Sequence, residues 1–175
     1  VKEEDLHILA IPTSIEIKIA CSQLNVPVTT LLEHKPDWTF DGADEIDSDQ
    51  NIIKGRGGAM FKEKLLIYSS PKTYILADPS KMVERLGSRF PVPIEVFPHA
   101  ITHVEKALHT FKPRKIQLRM AEGKDGPVIT ENGNLILDAW FDQIQGYMES
   151  SIKAITGVIE SGLLMHYPVE VIGIK

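Results

Sequence analysis

Cysteine is nearly missing from this chain of 175 residues: Cys21 stands alone, so no disulfide can close within it. A disulfide scaffold is excluded, and a reducing compartment is the expected setting. Aromatic residues amount to only 7%, and no apolar run approaches the roughly 18 residues of a membrane span. Positive charge is in deficit, with 19 Lys and Arg against 24 Asp and Glu and a formal charge of −5. Proteins that grip a phosphate backbone present a basic domain, so nucleic acid is not an expected partner. A small anionic ligand stays compatible, because a few placed cations suffice. Val1 to Asp5 are charged and lack the apolar core of a signal peptide. These deficits predict a soluble, cytoplasmic protein with no membrane partner. What is present, 43% hydrophobic and 25% charged residues, suits an ordinary globular fold of one domain or two small ones.

In the first half, short apolar runs alternate with helical stretches. Leu6–Ile11 and Val26–Leu31 read as strands around a helix at 15–24, where Thr13 and Glu16 have capping-box spacing. A strand through Asp37–Phe40 leads into the acidic stretch 41–49, and Asn51–Lys54 precedes a Gly55-Arg56-Gly57-Gly58 turn and a helix at 59–69. Lys72–Ala77 is a strand, and Asp78-Pro79 opens a helix expected to run to Leu86 and stop at Gly87. This alternation argues for a parallel α/β sheet. After Pro93 the order becomes β-α-β-β-α-β, the ferredoxin-like plan, with an Asn132-Gly133 hairpin turn. A last strand at Val169–Ile172 can return to the first sheet.

Chemistry gathers in the first half. Asp41 directly follows a strand, and ligands in α/β sheets bind beyond the carboxyl ends of strands. Asp41 and Asp44 therefore stand where chemistry usually sits, although acidic loops are commonly just solvated. A calcium loop from Asp47 fails, since its sixth position is Ile52 and its twelfth Gly58. The glycine turn exposes backbone N–H groups beside a helix N-terminus, which suits an anion, or it is simply a tight turn. It is neither a dinucleotide fingerprint nor a Walker loop. Glu63, in the first turns of the next helix, is either a surface group favoured by the helix dipole or a base aimed at what the turn holds. Lys54 ends the strand before the turn, from where it too could reach that pocket. Lys81 and Ser14 each begin a helix after a strand; the first is either an exposed lysine or an anion contact, the second a cap or a phosphate contact. His99 and His103 share a helix face, but two ligands make no metal site, and Ala100 stands where a zinc protease needs Glu. Cys21 reads as packing.

Asp41-Gly-Ala-Asp-Glu45, then Lys54-Gly-Arg-Gly-Gly-Ala59 and Glu63-Lys64, resemble ribose-5-phosphate isomerases of the A type. The likeness continues through Ala77-Asp-Pro-Ser-Lys81, Pro91-Val-Pro-Ile-Glu-Val96 and Asn132-Gly-Asn-Leu-Ile-Leu-Asp138. The resemblance implies a Rossmann-like parallel sheet domain at 1–93 plus 166–175, with an inserted ferredoxin-like α+β domain at 94–165. It implies interconversion of ribose 5-phosphate and ribulose 5-phosphate through an enediolate, in the non-oxidative pentose phosphate pathway, with no cofactor and no metal. The implied catalytic set is Glu63 as base with Asp41, Asp44 and Lys54. The implied substrate contacts are Gly42, Ala43, Gly55, Arg56, Gly57, Lys81 and Ser14. A sugar phosphate is the implied ligand and a homo-oligomer, as a homodimer, the implied assembly. The family usually carries Gly where Arg56 stands, so its side chain either crowds the turn or adds a cation. The family's opening strand and Gly-Thr-Gly-Ser-Thr phosphate loop have no counterpart in these residues. A sugar-phosphate-binding module without turnover, or an inactive truncated member, is the alternative reading.

Overall fold

The computed structural model describes residues 7–173. Its elements in chain order are α1 (Ile15–Gln23), β1 (Thr39–Asp41), β2 (Glu45–Ile46), β3 (Ile52–Ile53), α2 (Met60–Ser69), β4 (Thr73–Ala77) and β5 (Val92–Val96). There follow α3 (Ile101–Leu108), β6 (Lys115–Leu118), β7 (Leu135–Trp140), α4 (Met148–Lys153), β8 (Val158–Ser161), β9 (Leu163–Leu164) and β10 (Glu170–Gly173).

Three sheets result. The first is wholly parallel, in the order β1-β4-β10, so the last strand does return beside the first-half strands. The third is antiparallel, in the order β6-β7-β5-β8. Numbering its strands along the chain gives 2-3-1-4, and α3 and α4 lie in the two crossovers, which is the ferredoxin-like arrangement. The α/β fold with a ferredoxin-like part is therefore as the sequence implies.

Between them lies a small antiparallel sheet, β2-β3-β9, which the sequence does not announce. Gly162 makes it possible by separating β8 from β9, so that one chain segment serves two sheets. The Gly162 N–H donates to the Pro93 carbonyl at 2.7 Å, and its own carbonyl accepts from the Lys54 N–H at 2.8 Å. A Cβ there would stand 2.1 Å from the Lys54 carbonyl oxygen, so only glycine fits.

Apolar side chains on one face of the four-stranded sheet, Val92, Ile94 and Val96 among them, pack with Val104 and Leu108 of α3 and Met148 and Ile152 of α4. Each such fully buried aliphatic chain contributes about 1.5–3 kcal/mol. A second core joins Ile46, Ile52, Ile67, Ile75 and Leu164 under α2 and the parallel sheet.

Four local readings are corrected. Ser14, not Thr13, caps α1: its Oγ accepts from the Ile17 N–H at 3.1 Å. Of the strand at 6–11, Leu6 lies outside the described residues, and with the strand at 26–31 it reduces to a single parallel bridge, Ala10 to Val28. Asp78 does cap the next helix, but only as a single 3-10 turn, Pro79–Lys81. Beyond it Met82 bridges to Ile46, and the Val83 N–H bonds the Ile46 carbonyl at 2.9 Å, which withdraws the chain from helix.

Candidate active site

Lys54 sits at the centre of the site. It follows β3 directly, its backbone is tied to Gly162, and it is only 2% exposed. Its ammonium lies 2.8 Å from an oxygen of Asp41, at the carboxyl end of β1, and pairs with Glu63 in the first turn of α2. A strand end, a strand end and a helix start thus converge on one buried cation. Burial works against charge on Lys54, but Asp41 and Glu63 outweigh it and hold the ammonium above its ordinary proton affinity. Glu63 moves the other way from a simple ion pair. Burial raises its proton affinity, Lys54 pulls it down, and the Asp41 and Asp44 charges help keep it above the usual glutamate range. A carboxylate tuned upward in this way is better suited to taking and returning a proton than one of ordinary acidity.

The glycine turn forms one wall. Gly55 and Gly58 adopt φ of +94° and +81°, left-handed values that favour glycine, and a Cβ on Gly55 would stand 2.8 Å from that of Met60. The Arg56 N–H donates to an Asp44 oxygen at 3.1 Å. The Gly57 N–H meets no acceptor among the described residues. A Cβ built on Gly57 or on Gly42 would touch nothing within 4 Å, so the backbone is open to a ligand at both. Gly42 donates its own N–H to Asp41 at 2.8 Å, and Ala43 packs against the second core.

Two cations flank one ring beside this wall. Arg56 lies 5.6 Å and Lys81 5.9 Å from the centre of Phe90. Lys81 is therefore brought near the glycine turn, and Arg56 supplies a second positive group next to it. Ser14 is placed elsewhere: it caps α1 and lines an open cavity of about 540 Å³ whose walls include Lys62 and Glu131, not the Lys54 cluster. Among the described residues, no group of three or more His, Cys, Asp or Glu is placed to hold a metal ion. His99 and His103 are both exposed. Asp47 closes its own turn, accepting from the Asp49 and Asn51 N–H groups at 3.0 and 2.9 Å.

Two supporting residues escape a reading of the sequence. Glu45, within the acidic stretch, is fully buried and accepts from the N–H groups of Gly87, Arg89 and Phe90 at 2.6, 2.6 and 2.7 Å. It thereby fixes the loop that carries Phe90. Lys64 is buried rather than superficial. Its ammonium reaches Glu149 at 2.5 Å, Glu160 at 3.0 Å and the Leu163 carbonyl at 2.7 Å, which locks α2 and hence Glu63 onto β8 and β9. The signal was available: Met60, Lys64 and Ile67 recur at i, i+4 and i+7 on the buried side of α2.

An α/β fold whose strand ends and helix start enclose a lysine between two carboxylates, beside the free Gly57 amide, defines an enzyme built for acid–base chemistry. The profile described as ribose 5-phosphate isomerase A (phosphoriboisomerase A) matches residues 9–174, and the chain belongs to that family. It is 44% identical over 165 residues to ribose-5-phosphate isomerase A of Methanothermobacter thermautotrophicus, covering 93% of this chain and 72% of the relative. It is 38% identical over 179 residues to that of Methanocaldococcus jannaschii, with 78% of the relative covered. The solved structure of ribose 5-phosphate isomerase A from Methanocaldococcus jannaschii superposes with a TM-score of 0.92 at 39% identity, over 97% of this chain and 76% of that one. A D-ribose-5-phosphate isomerase in complex with phospho-erythronic acid gives 0.91 at 38% identity, over 97% and 77%.

Proposed function

We propose that Glu63 is the group that moves the proton in the reaction this family carries out. The chain is an aldose–ketose isomerase that interconverts ribose 5-phosphate and ribulose 5-phosphate. In the open-chain sugar the Glu63 carboxylate takes the proton from C2 of the aldose, leaving an enediolate. It returns the proton to C1 while the O2 hydroxyl proton passes to O1, relayed by Asp41 or Asp44, which gives the ketose and regenerates the carboxylate. The carbonyl oxygen becomes negative in between, and a cation already in place stabilises it without reorganisation. Lys54 and the free Gly57 N–H fill that role. Asp41 and Asp44 orient the sugar hydroxyls and assist ring opening, with backbone contacts from Gly42, Ala43 and Gly55. Lys81 and Arg56, gathered on Phe90, receive the phosphate. The pairing of a partly buried carboxylate of raised proton affinity with a buried lysine carries this reading.

A sugar phosphate as ligand is supported by the related enzyme in complex with phospho-erythronic acid. The reaction belongs to the non-oxidative pentose phosphate pathway. We also propose a cytoplasmic location, supported by the solitary cysteine, and a homo-oligomer, as a homodimer, supported by the exposed apolar chains Ile15, Ile17 and Ile19 on α1. The division at 1–93 plus 166–175 against 94–165 is likewise proposed, with Gly162 as the point where the insert's last strand rejoins the small sheet.

Glu63→Gln keeps size and hydrogen bonding but removes the basic carboxylate. Turnover is expected to fall by about 10²–10⁴-fold, with affinity for ribose 5-phosphate much less affected. Steady-state kinetics together with incorporation of deuterium from heavy water into the sugar measures both. Near-normal turnover would transfer the base to Asp41 or Asp44.

A further inference from the structure

Arg119 lies just past β6, on the ferredoxin-like sheet, far along the chain from the reacting residues. Its backbone is held in the sheet: the N–H donates to the Ile136 carbonyl at 2.9 Å, and the carbonyl accepts from the Val128 N–H at 2.9 Å. Its guanidinium grips Asp138 of the neighbouring strand through two nitrogens, at 2.8 and 2.5 Å. A residue that only tied β6 to β7 would be satisfied there. The remaining nitrogen instead crosses to the glycine turn, 2.8 Å from the Arg56 carbonyl and 3.3 Å from the Gly55 carbonyl.

Those two carbonyls belong to the peptide units whose other ends carry the Arg56 and Gly57 N–H groups. In a planar trans peptide the C=O and N–H point in opposite directions. A guanidinium holding the oxygens on one side therefore aims the amides to the other. The Arg56 amide meets Asp44 there, at 3.1 Å, and the Gly57 amide is free. A positive charge on the oxygens also polarises both peptides, making their N–H groups stronger donors. Asp138 fixes the fork in the plane this requires, and its side chain, like that of Arg119, is mostly buried.

We infer that Arg119 is a positioning residue for the isomerisation: it holds the glycine turn so that the Arg56 amide fixes Asp44 and the Gly57 amide faces the developing oxyanion. This rests on the reading of the Lys54–Glu63 site given above. It makes the ferredoxin-like sheet a working part of the active site rather than an appendage, with Arg119 as the link. A lysine cannot replace it, since a single ammonium lacks the planar fork that spans a carboxylate and two carbonyls at once.

The test compares Arg119→Ala, Arg119→Lys and Glu63→Gln in the whole chain, with ribose 5-phosphate as substrate and circular dichroism to check folding. Misaligned donors cost the transition state more than the bound sugar. Both Arg119 variants should lose roughly 10- to 100-fold in kcat, with KM moving less than about threefold. Millimolar guanidinium should restore part of the turnover of Arg119→Ala. If Arg119→Ala does not fold, Arg119→Lys decides alone. Wild-type kcat in a folded Arg119 variant, or a rise in KM with kcat unchanged, overturns the positioning role, while loss of turnover in Glu63→Gln leaves the base in place. Wild-type turnover in Glu63→Gln overturns the base assignment instead, whatever Arg119 does.

Discussion

Three charges share one buried space at the site, and their mutual influence is open to measurement. As the proposed base, Glu63 must be ionised to accept a proton, so activity is expected to fall as pH drops through its pKa, which lies above the ordinary 4.5. The Asp41 charge favours the protonated form of Glu63, and Asp41 also competes for Lys54. Asp41→Asn removes both influences. The acid limb of the kcat/KM profile is therefore expected to move to lower pH, even as the maximum rate declines. A limb that stays put or moves upward would mean that another group sets it. Lys54, Glu63 and Asp41 were legible as candidates because each sits at a strand end or helix start, and Asp44 because it lies in the loop that follows Asp41. Their pairing was not legible, since the register of three separate elements decides it. Arg119 was hidden for the same reason: its target is a pair of carbonyls, and backbone atoms leave no trace in a sequence.

At the scale of elements, long and periodic stretches were readable, while the pairing of very short ones was not. The helix at α2 and the strands β4, β6 and β7 lie within a few residues of where the pattern puts them. The two-residue strands β2, β3 and β9 carry no period of their own; a strand ending at Lys54 was legible, but the sheet these three form around Lys54 was not. The helix expected to reach Leu86 fails for a traceable reason. Glu45 takes the N–H groups of Gly87, Arg89 and Phe90, while Ile46 takes that of Val83, so the segment bonds sideways to β2 instead of to itself. Glu45→Ala would leave three N–H groups without their acceptor. Each orphaned donor costs about 1–3 kcal/mol where water cannot replace it, and partial exposure of the loop lowers the sum to about 3 kcal/mol. Urea unfolding should show that loss. Weaker substrate binding should accompany it, because Phe90 carries Arg56 and Lys81.

Across the whole molecule, the change of element order after Pro93 revealed the ferredoxin-like plan, and the return of β10 to the parallel sheet followed the same reading. What the sequence concealed was how the parts are fastened, because nothing around Gly162 marks it as the junction between two sheets. Gly162 binds Pro93 on one side and Lys54 on the other through its own amide and carbonyl. Neither bond can be released while the two neighbouring sheets stay intact. In hydrogen exchange, the Lys54 and Gly162 amides should therefore be among the slowest of the chain, opening only with global unfolding. Local breathing of the first parallel strands would leave them protected. Exchange of these two amides at the rate of exposed loops would show that the halves come apart separately. Lys54 would then owe its place to side-chain pairing alone; with slow exchange, it is anchored at the last part of the molecule to melt.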